Sequence, residues 1–154
     1  MIKVLFVCLG NICRSPMAEF IFKDMVKKEE LEDKIYIESA ATSMEEYGNN
    51  MYYLAKEKLL QEGIPFSKRS SRPITKQDYQ KFNYIIGMEE RNIRSILRIV
   101  GEDTDNKISR LLDFTDNPRD IADPWYTGNF NITYLQIVEG CKALLEYIKI
   151  NEIN

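Results

Sequence analysis

The first sixteen residues constrain this chain most. Ile2 to Val7 is a short apolar run of β-branched, aromatic and aliphatic side chains and reads as a buried strand. It stops at Cys8-Leu9-Gly10-Asn11-Ile12-Cys13-Arg14, and a helix then opens with Ser15 as its cap and Pro16 at its first position. Ala18, Ile21, Phe22, Met25 and Val26 recur at helical spacing and form the face that this helix buries. Strand, tight loop and helix in that order open an α/β unit.

The alternation continues to the end of the chain. A second strand begins at Ile35 and carries Tyr36-Ile37-Glu38, and a helix follows with Met51, Leu54, Ala55 and Leu59 on one face and Gly63 as its stop. Thr75 and Asp78 form the capping pair of a short helix. Asn83 to Gly87 is a third strand, and Ile93, Ile96, Leu97 and Val100 mark a helix ending at Gly101. The fourth strand runs from Ile108 to Leu112. A polar loop from Asp113 to about Asn131 precedes a last helix with Ile137, Val138, Cys141, Leu144, Leu145 and Ile148 inward. Four strands alternating with helices predict a parallel sheet covered on both faces, in one domain spanning residues 1–154. In such folds ligands sit beyond the carboxyl ends of the strands at the switch point, where the Cys8–Ser15 loop leaves the first strand.

Composition narrows the chemistry. The chain has no histidine, which removes Ser/His/Asp and Cys/His nucleophile activation, histidine bases and zincin-type metal sites. A net charge of -3 gives no electrostatic case for nucleic acid or for an anionic membrane surface. Neither a signal peptide nor a membrane-spanning apolar stretch is legible, so the expected location is the cytoplasm. Three cysteines, Cys8, Cys13 and Cys141, are an odd number that favours free thiols. Cys141 lies on the apolar face of the last helix and reads as core filler.

The loop itself can bind an anion. Wrapped tightly between a strand and a helix N-terminus, it turns its amides inward, and the helix dipole adds partial positive charge. Arg14 supplies a planar guanidinium able to grip two phosphate oxygens. Cys8 would sit beneath that anion, its thiolate favoured by the same groups and by a hydrogen bond from Ser15. Gly10 permits the tight backbone, and the side chain of Asn11 can bridge its turns. Taken singly, a cysteine ending a buried strand is a small core residue as readily as a nucleophile. Asp123, before a proline, reads as a turn starter, and Trp125 and Tyr126 read as a clasp over the core or as a cleft wall.

Val7-Cys8-Leu9-Gly10-Asn11-Ile12-Cys13-Arg14-Ser15-Pro16 resembles the signature of the low-molecular-weight protein tyrosine phosphatases. The resemblance extends through Ser39-Ala40-Ala41-Thr42, Gly48-Asn49, Gly63-Ile64-Pro65, Met88-Glu89 and Asp123-Pro124-Trp125-Tyr126, and so covers nearly the whole chain. It implies a flavodoxin-like sheet of order 2-1-3-4 and a phosphatase without metal or cofactor. Cys8 would attack phosphorus while Arg14 and the amides of Leu9 to Arg14 hold the equatorial oxygens. Asp123 would protonate the leaving phenolate and then activate water to release inorganic phosphate. It also implies supporting roles for Asn11, Ser15 and Ser39, and stacking of a phenolic substrate on Trp125 and Tyr126. Cys13 would be a partner of Cys8 in a reversible disulfide. The expected partners are a phosphotyrosine protein or a small aryl phosphate, met by a monomer.

Two stretches depart from the family pattern. Where relatives often carry a histidine, Lys68-Arg69-Ser70-Ser71 reads as a solvated basic turn or as an attractor of acidic flanks on a substrate. At the cleft rim, where relatives often carry an aromatic residue, stands Glu45-Glu46-Tyr47, and Tyr47 is the candidate to supply the ring. Ile12 stands where the arginine phosphatases on this scaffold carry Thr. The absence of cysteine between residues 14 and 140 argues against an arsenate reductase. A phosphate-binding module without catalysis would have no use for Cys8, Ser15 and Asp123 together.

Overall fold

The structure is a computed structural model that describes residues 1–153. Strand β1 (Ile2–Cys8) lies at the centre of a four-stranded sheet of order β2-β1-β3-β4, with β2 at Ile35–Ala41, β3 at Tyr84–Gly87 and β4 at Ile108–Arg110. Every pairing is parallel, with Cys8 opposite Ala41 on one side of β1 and Val7 opposite Gly87 on the other. The predicted sheet order and its parallel sense are those observed.

Alternation along β1 divides the core. Val4, Phe6 and Cys8 face a cluster built with α1 (Arg14–Lys28), α2 (Tyr53–Gln61) and α6 (Phe130–Ile148). Leu5 and Val7 face the other cluster, built with α3 (Lys76–Lys81) and α4 (Glu90–Val100). All of Val4 to Val7 are fully buried, as a strand covered on both sides requires. Gly140 lets α6 approach the segment after β4, since a Cβ there would lie 2.5 Å from Leu111 Cγ.

Several boundaries differ from the sequence expectation. Helix α1 starts at Arg14 with Cys13 in the capping position, so Ser15 is not a cap and its hydroxyl is free for another partner. Leu111 and Leu112 leave β4 for a 3-10 turn, Leu111–Phe114, which turns both leucines fully into the core. The region read as polar loop contains α5 (Pro124–Thr127), and Asn129 caps α6 by accepting from Ile132 N–H, which places Asn131 inside the helix. Only Ile96 of the apolar face read for α4 is completely buried; Leu97 is 37% exposed. The capping box of Thr75 and Asp78 forms as expected, and Gly101 ends α4 with a positive φ of 92°.

The chain passes from β1 outward to β2 and returns to β3 on the far side of β1. The sheet therefore has its switch point at the carboxyl end of β1, and Cys8 is the last residue there.

Candidate active site

The loop between β1 and α1 is stitched on both flanks. Thr42 N–H donates to Cys8 C=O and Ser43 N–H to Leu9 C=O, each at 3.0 Å, and Tyr52 N–H donates to Ile12 C=O at 2.9 Å. Ser71, only 2% exposed, donates its hydroxyl to Gly10 C=O at 2.8 Å. Asn11 turns the loop in the left-handed region, at φ 56°, where asparagine is among the few tolerated side chains.

Cys8 Sγ lies 3.0 Å from Ser15 Oγ and accepts from Ser15 N–H at 3.4 Å. Asn11 Nδ2 donates to Ser15 Oγ at 2.7 Å, which leaves the serine's own proton to point at sulfur. The second Nδ2 hydrogen goes to Ser39 Oγ at 3.0 Å, and Ser39 donates onward to Glu19 Oε1 at 2.6 Å. Arg69 Nη2 donates to Asn11 Oδ1. A continuous buried chain therefore runs from Glu19 through Ser39, Asn11 and Ser15 to the sulfur.

Arg14, the first residue of α1, is 3% exposed and anchored at three points. Nη1 donates to Glu89 Oε2 at 2.6 Å and to Ile121 C=O at 2.9 Å, while Nη2 reaches Asp123 Oδ2 at 3.2 Å. Burial opposes its charge, but Cys8, Asp123 and Glu89 overcome that and hold its pKa above the ordinary value. Asp123 caps α5, and its Oδ1 accepts from Trp125 N–H at 3.0 Å. Burial foremost, and then the neighbouring Cys8, push the Cys13 thiol up to about 12.

A cleft opens over this loop, lined by the whole Cys8–Arg14 run and by Asp123, Trp125 and Tyr126. Glu45 and Glu46 complete its rim; Tyr47 is not among the lining residues and stands 63% exposed on the neighbouring turn. The turn closed by Tyr47 N–H on Met44 C=O presents the two glutamates instead, so the ring expected from Tyr47 is not supplied at the cleft. Trp125 and Tyr126, 57% and 74% exposed, form a wall, and Trp125 also packs against Tyr52. Lys68-Arg69-Ser70-Ser71 is not a freely solvated turn, because Arg69 and Ser71 both bind the loop. Among the described residues no group of three or more Cys, Asp or Glu side chains is arranged to hold a metal ion.

Two contributors, Glu19 and Tyr52, escaped the sequence reading, and Arg69 and Ser71 entered it only as part of a basic turn, without their bonds to the loop. Glu19 carried a usable signal, a charge beside Ala18 on the buried face of α1. Glu89 entered that reading only as part of a matched dipeptide, since its partner Arg14 is 75 residues away.

The family model for low molecular weight phosphotyrosine protein phosphatase matches residues 3–153. A low molecular weight protein-tyrosine-phosphatase of Bacillus subtilis, YfkJ, is 44% identical over 151 residues, 97% of either chain. The human low molecular weight phosphotyrosine protein phosphatase is 40% identical over 149 residues, 94% of either chain. The crystal structure of YfkJ superposes with a TM-score of 0.95, covering 99% of this chain and 97% of that one. A Drosophila arginine phosphatase also shares the fold, at TM-score 0.87 and 33% identity, covering 98% of this chain and all of the other.

Proposed function

The chain belongs to the low molecular weight phosphotyrosine protein phosphatase family and hydrolyses aryl phosphate monoesters such as phosphotyrosine, and we propose that Cys8, Arg14 and Asp123 carry that reaction in two steps. The Cys8 thiolate attacks phosphorus, an S–P bond forms and the P–O bond to the phenol breaks. Asp123 gives its proton to the departing oxygen. The carboxylate then takes a proton from water as the water oxygen attacks phosphorus, the S–P bond breaks, and inorganic phosphate leaves. Through both steps the phosphoryl oxygens rest on the amides of Leu9 to Arg14 and on the Arg14 guanidinium, which stabilise the charge spread over them.

One observation carries these assignments: Cys8 Sγ sits within 3.0 Å of Ser15 Oγ at the N-terminus of α1, in a cleft that also holds Arg14 and Asp123. No histidine stands beside this sulfur; a hydroxyl, an amide, a helix terminus and a guanidinium surround the attacking atom instead. Ser15 then steadies the sulfur as a leaving group in the second step. The reading includes a monomer in the cytoplasm. Three free buried thiols suit a reducing compartment, and one chain supplies every residue of the site.

Phosphotyrosine is favoured over phosphoarginine by the aliphatic Ile12 on the cleft wall, which offers no hydrogen-bond partner to a guanidinium. The test is hydrolysis of p-nitrophenyl phosphate in EDTA by the native chain and by Cys8→Ser, with a phosphoarginine peptide as second substrate. Turnover that Cys8→Ser abolishes is the expected result. Undiminished turnover in Cys8→Ser overturns the nucleophile, and faster release of phosphate from phosphoarginine than from phosphotyrosine overturns the substrate.

A further inference from the structure

We propose that Tyr52 is a positioning residue that holds Asp123 in register with the phosphate-binding loop. The inference rests on the reading of Asp123 as the acid. Tyr52 immediately precedes α2 and is tied to the loop through its backbone, N–H to Ile12 C=O at 2.9 Å. Its ring turns toward the segment that follows Asp123. There it meets Trp125 edge-on, with centroids 5.0 Å apart, and lies nearly parallel to Phe130 at 6.3 Å. Trp125 belongs to α5 and Phe130 opens α6, so one ring touches both ends of the segment that follows Asp123. The contact then reaches the carboxylate itself, because Trp125 N–H donates to Asp123 Oδ1.

The need for such a strut follows from what else holds the acid. Residues 121 and 122 are pinned by bonds from Ile121 N–H to Met88 C=O and from Ala122 N–H to Gln136 Oε1. Past them, α5 is a single turn that ends at Gly128 in the left-handed region. The bond from Arg14 Nη2 to Asp123 Oδ2 orients the carboxylate here. A phosphoryl group gripped by Arg14 competes for that same nitrogen. With substrate bound, the direction of the carboxyl group depends on Trp125 N–H and therefore on what holds the Trp125 ring.

The experiment compares kcat/KM on phenyl phosphate and on p-nitrophenyl phosphate, whose leaving groups need much and little protonation respectively. The rate constant kcat/KM reports events only up to P–O cleavage, and the ratio of the two substrates cancels the fraction of folded enzyme. In Tyr52→Leu the loss on phenyl phosphate is expected to exceed that on p-nitrophenyl phosphate by about three- to tenfold, the size of one edge-on aromatic contact. Tyr52→Phe keeps the ring and is expected to keep the native ratio. Tyr52→Met serves if Tyr52→Leu does not accumulate. An unchanged ratio in Tyr52→Leu overturns the proposal, as does a Tyr52→Phe that behaves like Tyr52→Leu. Asp123→Asn separates the two readings: if it too leaves the ratio unchanged, the acid assignment itself has failed.

Discussion

Glu89 Oε2 accepts from Arg14 Nη1 at 2.6 Å, an ion pair between the start of α1 and the residue that precedes α4. The two helices lie on opposite faces of the sheet, so this pair closes the top of the switch point and fixes the plane of the guanidinium. Glu89→Gln keeps the shape and removes the charge, leaving a buried arginine short of a counter-ion. The expected cost is about 2–3 kcal/mol of stability, below the roughly 3–5 kcal/mol of a fully buried broken pair because Glu89 is 19% exposed. Inhibition by inorganic phosphate should weaken about tenfold, the worth of one misaligned charged contact. A native inhibition constant in Glu89→Gln would show that Glu89 does not orient Arg14.

Asn11 combines a left-handed backbone with four side-chain bonds, and two variants separate those effects. Asn11→Gly loses the bonds but tolerates the backbone; Asn11→Ala loses both. Urea unfolding should place Asn11→Ala about 1 kcal/mol below Asn11→Gly, the cost of a Cβ in the left-handed region. Both should turn over p-nitrophenyl phosphate at least tenfold more slowly than the native chain, since Ser15 is then free to leave the sulfur. Equal stability of the two would mean the loop relaxes out of the left-handed turn.

Cys13 predicts a pH dependence of known sign. Burial raises its thiol from an ordinary 9.0 to about 12. The folded chain therefore keeps a proton that the unfolded chain loses above pH 9. Its contribution to stability is complete below that value and falls by about 1.4 kcal/mol per pH unit above it, until pH 12. Whatever stability gap separates the native chain from Cys13→Ser at pH 8 should shift against the native chain by roughly that amount at pH 10. Thermal melts at the two pH values decide it, and a gap independent of pH would contradict the buried neutral thiol. The same shift keeps Cys13 slow toward iodoacetate at pH 7.

The cleft rim predicts selectivity by charge. Glu45 and Glu46 line it, and among the described residues neither is in an ion pair. A phosphotyrosyl peptide with lysine beside the phosphotyrosine should show kcat/KM about three- to tenfold above the same peptide with glutamate, and 0.5 M salt should erase the difference. Glu45→Lys combined with Glu46→Lys should reverse the order. If both peptides react alike at low salt, the rim takes no part in selection.

The sequence by itself determined the layout of this fold. Short apolar runs alternating with helical-period segments specify a parallel α/β sheet, because those two periods depend on neighbours only a few residues away. The same locality made Cys8-x5-Arg14-Ser15 legible as an anion-binding loop. It also misassigned Ser15: a serine before a proline is a good cap by every local rule, yet its hydroxyl goes to Cys8 and Asn11. Tertiary structure alone decided the pairs far apart in sequence. Arg14 with Glu89 and Asp123, Asn11 with Ser39 and Arg69, Gly10 with Ser71 and Tyr52 with Trp125 were settled this way, as was the choice of Glu45 and Glu46 over Tyr47 at the rim. Such contacts carry no periodic signature. They arise where the carboxyl ends of β1 and β3 bring distant loops together, and charge, shape and unmet hydrogen bonds then select the partners.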